Sequence, residues 1–230
     1  MIYLFSVLSV VMPVFFIERR QRVDDGQTLF LKCLSTFLML FLAVIKAYTY
    51  KSELLYFLMT AGALSLCLLG DFFLGYCHVI GKENRLYNPL RFSGMLVFLL
   101  AHVVFIVNYL LHTENFIWYL VIVPFAITAI FFVLSPYLGF KWSHKAFIVI
   151  SALYLITISF MLITGIFYAV QLVSSGATAR GAMIIAASIL FFISDSILAF
   201  MYFAGKKSKA ISIANLTTYF ASLILLALVS

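Results

Sequence analysis

Charge is what this chain has least of. Only 10% of its 230 residues are Asp, Glu, Lys or Arg, against about 25% in ordinary soluble domains. A water-soluble fold of this size is excluded, because 65% of the residues are apolar and that surface has to face lipid or another helix. Cysteine is also sparse. Cys33, Cys67 and Cys77 form an odd, scattered set, which argues against a disulfide framework. No G-x-G-x-x-G, Walker loop or G-x-S-x-G elbow occurs, so nucleotide-loop and serine-elbow chemistries fall away. The four histidines, at 78, 102, 112 and 144, contain no H-x-x-H or H-x-x-x-H pair. A zinc site, which needs closely set ligands, is therefore not expected, nor is any cofactor. Finally, no basic segment precedes the apolar start, so residues 1–17 read as a retained helix rather than a cleaved signal.

What the chain does have is long apolar runs. A spanning helix needs about 20 mainly apolar residues, and the runs and their breakers predict eight: Met1–Ile17, Thr28–Tyr48, Leu54–Gly75, Phe92–Leu111, Phe116–Leu134, Ala146–Phe167, Arg180–Phe203 and Ala210–Val229. Ser135-Pro136 closes the fifth, while Pro13 and Pro124 lie inside spans, where neighbouring helices can satisfy the freed carbonyls. The connections are too short for a soluble domain. The expectation is an all-α polytopic bundle of about eight transmembrane helices, one transmembrane domain over 1–230.

The net charge of +7 invites a nucleic-acid reading, but its placement points to membrane topology and no nucleic-acid partner. Arg19, Arg20, Arg22, Lys82, Arg85, Arg91, Lys141, Lys145, Lys206, Lys207 and Lys209 fall in the connections after helices 1, 3, 5 and 7. Only Lys51 and Arg180 fall on the other side. Positive loops stay cytoplasmic, so both termini are expected on the non-cytoplasmic side.

With the loop charges set aside, Lys32, Asp71, His102 and Asp195 stand inside predicted spans. Ionisable residues there are costly and by default suggest function. Asp71 falls in the last turn of predicted helix 3 and Lys32 near the start of helix 2. His102 lies about 15 Å, and Asp195 about 12 Å, from their cytoplasmic helix ends at 1.5 Å per residue. Tyr154 and Tyr219 sit at similar depth. Six polar side chains on six helices thus share the cytoplasmic half, as for a polar cavity open to the cytoplasm or inner leaflet.

The segments Leu69-Gly70-Asp71-Phe72-Phe73-Leu74 and Ile193-Ser194-Asp195-Ser196-Ile197-Leu198 read alike, four helices apart. A four-plus-four parallel repeat would place the two aspartates about one pseudo-twofold axis. Intramembrane aspartyl proteases also use two aspartates, but their G-x-G-D motif is missing: Leu68-Leu69-Gly70-Asp71 lacks the first glycine. Each residue also has a bland account. Lys32 can snorkel, Asp71 can reach headgroup water, His102 can bond a backbone carbonyl, and the tyrosines can simply pack.

The ordered set resembles the lysoplasmalogenase, or YhhN-like, membrane family. The residues that carry the resemblance are Lys32, then Gly70-Asp71-Phe72-Phe73-Leu74, then Gly94, Phe98, Ala101 and His102, then Ser194-Asp195-Ser196-Ile197-Leu198-Ala199, with Tyr219 in the last helix. The departures are Cys33 after Lys32, Ser222 after Tyr219, and a late Tyr109 after His102.

The resemblance implies hydrolysis of the vinyl-ether bond of a lysoplasmalogen, a membrane lysophospholipid, to a fatty aldehyde and glycerophosphoethanolamine or glycerophosphocholine. Together with the shared depth of these polar residues, it gives Asp71, Asp195 and His102 as the expected catalytic residues, and Lys32, Tyr154, Tyr219 and Ser194 as the expected substrate-binding residues. Vinyl ethers resist bases and yield to acid, so the reaction needs a proton donor, a group that positions water, and negative charge near an oxocarbenium-like centre. Paired carboxylates meet a comparable demand in glycosidases. The expectation is two carboxyl groups dividing a proton in one inward-facing pocket, with Lys32 at headgroup depth for the substrate phosphate. A bacterial inner membrane fits the nearly loop-free build. A proton-coupled transporter using an Asp/His relay is the competing class, although the polar residues stop at mid-membrane.

Overall fold

The computed structural model describes residues 2–114, 117–140, 145–205 and 208–230, with Ile2 and residues 145–147 by backbone alone. The expected helix starts at Met1 and Phe116, and the loop cations Lys141, Lys206 and Lys207, lie outside the described residues. Among the described residues eight helices follow in order: α1 (Ile2–Arg20), α2 (Gly26–Tyr50), α3 (Leu54–Ile80), α4 (Tyr87–Leu111), α5 (Tyr119–Leu134), α6 (Lys145–Ser174), α7 (Thr178–Phe203) and α8 (Lys209–Val229). No strand occurs among the described residues. The protein is a polytopic helical bundle, as its sequence predicts.

Six of the eight, α2, α3, α4, α6, α7 and α8, are long and apolar enough to cross a membrane, which makes this a multi-pass membrane protein. The 16 residues of α5 span about 24 Å at the helical rise, short of the roughly 30 Å hydrocarbon core. The last turn of α1 holds Arg19 and Arg20. Large apolar side chains lie exposed on most helices, among them Val7, Val14, Phe30, Leu58, Ile122, Phe125 and Leu153. Water would penalise that surface, and lipid does not.

Several helices outrun their apolar cores. The sequence places the end of helix 3 at Gly75, where hydropathy falls, but α3 continues to Ile80, and α4 begins at Tyr87 rather than Phe92. Backbone hydrogen bonding does not stop where the hydrocarbon does. Asp71 is therefore nine residues, about 14 Å, from the end of α3 instead of in its last turn. His102 is fifteen residues, about 22 Å, into α4.

The chain divides into two compact units: residues 1–105 with 223–230, and residues 106–222. The first holds α1, α2, α3, most of α4 and the end of α8. Its opening turn is tied by Asp25, which caps α2 by accepting from the Thr28 backbone N–H at 2.8 Å and pairs with Arg19 at 2.7 Å. The Thr28 hydroxyl donates to the Val23 carbonyl at 2.9 Å. At the far end of α2, Lys51 adopts a left-handed conformation with φ 52°, and its N–H bonds the Ala47 carbonyl. The Ser52 hydroxyl then holds the Ser230 carbonyl at 2.9 Å, fastening the end of α8.

In the second unit α5 packs on α6 and α6 on α7. The α6–α7 connection is only Ser175-Gly176-Ala177. Gly176 takes φ 93°, a conformation that costs glycine little, while the Ala177 N–H returns to the Leu172 carbonyl at 2.8 Å. So tight a turn makes α6 and α7 antiparallel neighbours. Phe140 closes this unit with edge-on contacts to Phe131 and Phe200, centroids 5.1 and 5.0 Å away.

Candidate active site

The first carboxylate lies in the first unit. Asp71 is fully buried on α3 and faces α2, where Lys32 and Thr36 stand one turn apart. The Lys32 Nζ lies 2.9 Å from Asp71 Oδ1, with side-chain exposures of 13% and 1%. The Thr36 hydroxyl donates to Oδ2 at 2.5 Å. Both carboxylate oxygens therefore meet a donor. Such a charge could not stay buried without a partner.

Small residues make the close approach. A Cβ at Gly75 would lie 2.5 Å from Leu29 and 3.8 Å from the Lys32 stem, and one at Gly70 would lie 2.7 Å from the Phe98 ring. Likewise a Cβ at Gly94 would lie 2.7 Å from Leu74 Cδ2. These contacts set the antiparallel register of α3 and α4. Gly94 meets Leu74 and Phe98 meets Gly70, so His102 stands about five residues, some 7–8 Å, beyond the Asp71 level. His102 is buried, and its Nδ1 lies 2.6 Å from the Phe98 carbonyl. A carbonyl only accepts, so Nδ1 carries hydrogen and Nε2 is the acceptor nitrogen of the neutral ring.

The second carboxylate lies in the second unit. Asp195 on α7 is 9% exposed, and the Tyr154 hydroxyl of α6 donates to its Oδ2 at 2.6 Å. The neighbouring Ser194 is committed elsewhere. Its hydroxyl donates to the Asn215 carbonyl at 3.1 Å, and the Asn215 amide donates back to the Ser194 carbonyl at 2.7 Å. This clasp fixes α8 to α7 one residue before Asp195. Tyr219, one turn further along α8, is buried with its ring edge-on to Phe191, centroids 5.8 Å apart.

Of the residues singled out in the sequence, Lys32 and Asp71 are thus brought together, as are Tyr154 and Asp195. Ser194 and Tyr219 lie on the seam of α7 and α8. Two further residues had escaped notice. Thr36 could have been found from its spacing, four residues after Lys32 on one helix face, and Asn215 from being an amide inside an apolar run. Among the described residues no three His, Cys, Asp or Glu side chains converge as metal ligands would.

Compared with known proteins, residues 27–229 match the model of the YhhN family. The match takes in Lys32, Thr36, Asp71, His102, Tyr154, Asp195 and Asn215, and leaves out α1. No curated protein and no solved structure matches the chain.

Proposed function

The chain belongs to the YhhN family, and from that membership we propose that it is a membrane-embedded hydrolase cleaving the vinyl-ether bond of lysoplasmalogens. The observation that carries the reading is a pair of intramembrane carboxylates, Asp71 and Asp195, each buried and each accepting a hydrogen bond from a hydroxyl on the preceding helix. Purely apolar packing gains nothing from such groups.

The chemistry asks for what these residues supply. A proton adds to the alkenyl carbon beta to the ether oxygen, leaving positive charge shared between the alpha carbon and the oxygen. Water adds at the alpha carbon and gives up a proton. The hemiacetal then collapses: the bond from that carbon to the glycerol oxygen breaks, and the hydroxyl proton passes to the departing oxygen. One water is consumed, one proton enters and one leaves. In this reading Asp71 and Asp195 are the acid–base groups, and either carboxylate can stabilise the transient cation. His102 presents an acceptor nitrogen that can orient water or relay a proton. Lys32 has three donors, so pairing with Asp71 leaves it able to meet the substrate phosphate as well. Tyr154 steadies Asp195, while Ser194 and Tyr219 shape the wall along which the alkenyl chain would lie. The products are a fatty aldehyde and glycerophosphoethanolamine or glycerophosphocholine, and the site works from the cytoplasmic half of a bacterial inner membrane.

The test is direct. Purified protein in detergent, given a lysoplasmalogen and no ion gradient, is expected to release aldehyde. Asp71→Asn and Asp195→Asn, folded and inserted normally, should each abolish it. Full activity in either variant refutes the carboxylate mechanism. Transport across sealed vesicles, with the lipid chemically intact and no aldehyde formed, would instead identify a carrier.

A further inference from the structure

The hydroxyls of this bundle mostly serve their own helices. Ser35, Thr49, Ser65, Thr128, Thr157 and Thr164 each donate to the carbonyl four residues back, at 2.7–2.9 Å. That is the ordinary habit of Ser and Thr in apolar helices. Thr36 breaks it. Its oxygen lies 3.5 Å from the Lys32 carbonyl but 2.5 Å from Asp71 Oδ2. A hydroxyl has one hydrogen, and here the geometry directs it across to α3. Thr36 is completely buried, so neither water nor headgroups compete for it.

The carboxylate thus receives two donors of different kinds from one rigid element. Lys32 Nζ meets Oδ1 at 2.9 Å and the Thr36 hydroxyl meets Oδ2. Two contacts on opposite oxygens, from side chains one turn apart, fix the plane of the carboxyl group as well as its position. A single contact would leave it free to turn about its terminal torsion, which is broad and roughly two-fold.

From this we infer that Thr36 is a positioning residue for the reaction. With Lys32 it holds Asp71 as a fixed, ionised carboxylate that aligns the attacking water, takes its proton and faces the oxocarbenium charge. The inference rests on reading the chain as a vinyl-ether hydrolase, and it adds a residue that sets the geometry of the Asp71 carboxylate.

A hydrogen bond to a charged group contributes about 1.5–3 kcal/mol, equivalent to roughly 10- to 150-fold in rate when it acts only in the transition state. Thr36→Val removes the hydroxyl at nearly constant shape. Its kcat for aldehyde release from lysoplasmalogen is expected to fall by that factor with KM within about twofold, while Thr36→Ser restores most of the loss. A residue that only packs would lower stability and leave kcat in place. A kcat within twofold of wild type, a change confined to KM, or a serine variant no better than valine overturns the inference.

A second readout does not need turnover. The infrared carboxylate band that disappears in Asp71→Asn should shift in Thr36→Val, and in Thr36→Ala should the valine variant fail to insert. An unshifted band overturns the inference. Wild-type protein that releases no aldehyde but shows the shift refutes the proposed reaction while upholding the clamp.

Discussion

Removing Lys32 while keeping Asp71 should be among the most damaging single changes this bundle can suffer. The two charges lie 2.9 Å apart with almost no solvent around them. At an effective dielectric of about 20 their attraction is roughly 6 kcal/mol, most of it offset by the cost of drawing both ions out of water. As a net gain over an apolar pair, the ion pair is therefore worth little. What is expensive is half of it: a buried ion stripped of its partner costs about 3–5 kcal/mol. Lys32→Met is expected to cost that much. Asp71→Asn should cost less, because the lysine stem can carry its ammonium toward the headgroups, whereas the buried carboxylate has no such reach. The double variant Lys32→Met/Asp71→Asn should regain most of the loss, giving a coupling energy of at least about 2 kcal/mol.

Reversible unfolding in mixed micelles, followed by helicity for the four proteins of the cycle, measures this directly. Additive costs, within about 0.5 kcal/mol, would mean that the pair does not hold a buried charge, and the account of the site would fall with it. The cycle also separates structure from chemistry. The double variant should fold well and release no aldehyde.

Two other perturbations follow from particular contacts. Gly94→Ala places a methyl 2.7 Å from Leu74 Cδ2, 2.8 Å from its Cγ and 3.3 Å from its backbone nitrogen; backbone cannot swing away, so α4 must back off α3 at a cost of about 1–3 kcal/mol, read as a lower unfolding midpoint in the same micelles. At the α1–α2 turn, the Arg19 guanidinium, with the Thr28 backbone N–H, holds Asp25 down from 3.8 to about 2. A carboxylate whose folded pKa lies below its unfolded value stabilises the fold above the unfolded pKa and loses that contribution as pH falls toward the folded one. The turn should therefore be unaffected at pH 5 and loosen between about pH 4 and pH 2, and Arg19→Gln should move the Asp25 carboxyl titration upward by NMR; an unmoved titration would refute the pairing.

How much of this was legible beforehand depends on the range over which each signal acts. The eight helices could be read because hydrophobicity is written locally, residue by residue, and the membrane demands helices of near-constant length. Helix ends were read less well for the same reason. The apolar run stops at Gly75, but the backbone ladder carries α3 on to Ile80, and the depth assigned to Asp71 changed with it. Isolated charges in apolar runs were equally legible, so Lys32, Asp71, His102 and Asp195 stood out without a structure. Their partners did not. Thr36 and Asn215 are neutral, common and cheap to bury when bonded, and only the register of α2 on α3 and of α8 on α7 reveals what they hold.

That register also gives the short sequence echo around the two aspartates a physical content. Asp71 sits on the second helix of the α2–α3 hairpin and accepts from a hydroxyl on the first; Asp195 sits on the second helix of the α6–α7 hairpin and does the same. The hairpins are four helices apart, as a parallel repeat requires. Yet the donors do not correspond residue for residue. Asp71 follows Thr36 by 35 positions and Asp195 follows Tyr154 by 41, and the two hydroxyls differ in reach by the length of a phenyl ring. What the two hairpins have in common is the arrangement, a carboxylate facing a hydroxyl across an antiparallel seam. The donors differ: an ammonium and a short hydroxyl meet the fully buried Asp71, and a phenol meets the slightly more accessible Asp195. Two like groups placed in unlike surroundings need not behave alike, so the clamp inferred for Asp71 does not carry over to Asp195 by the repeat alone.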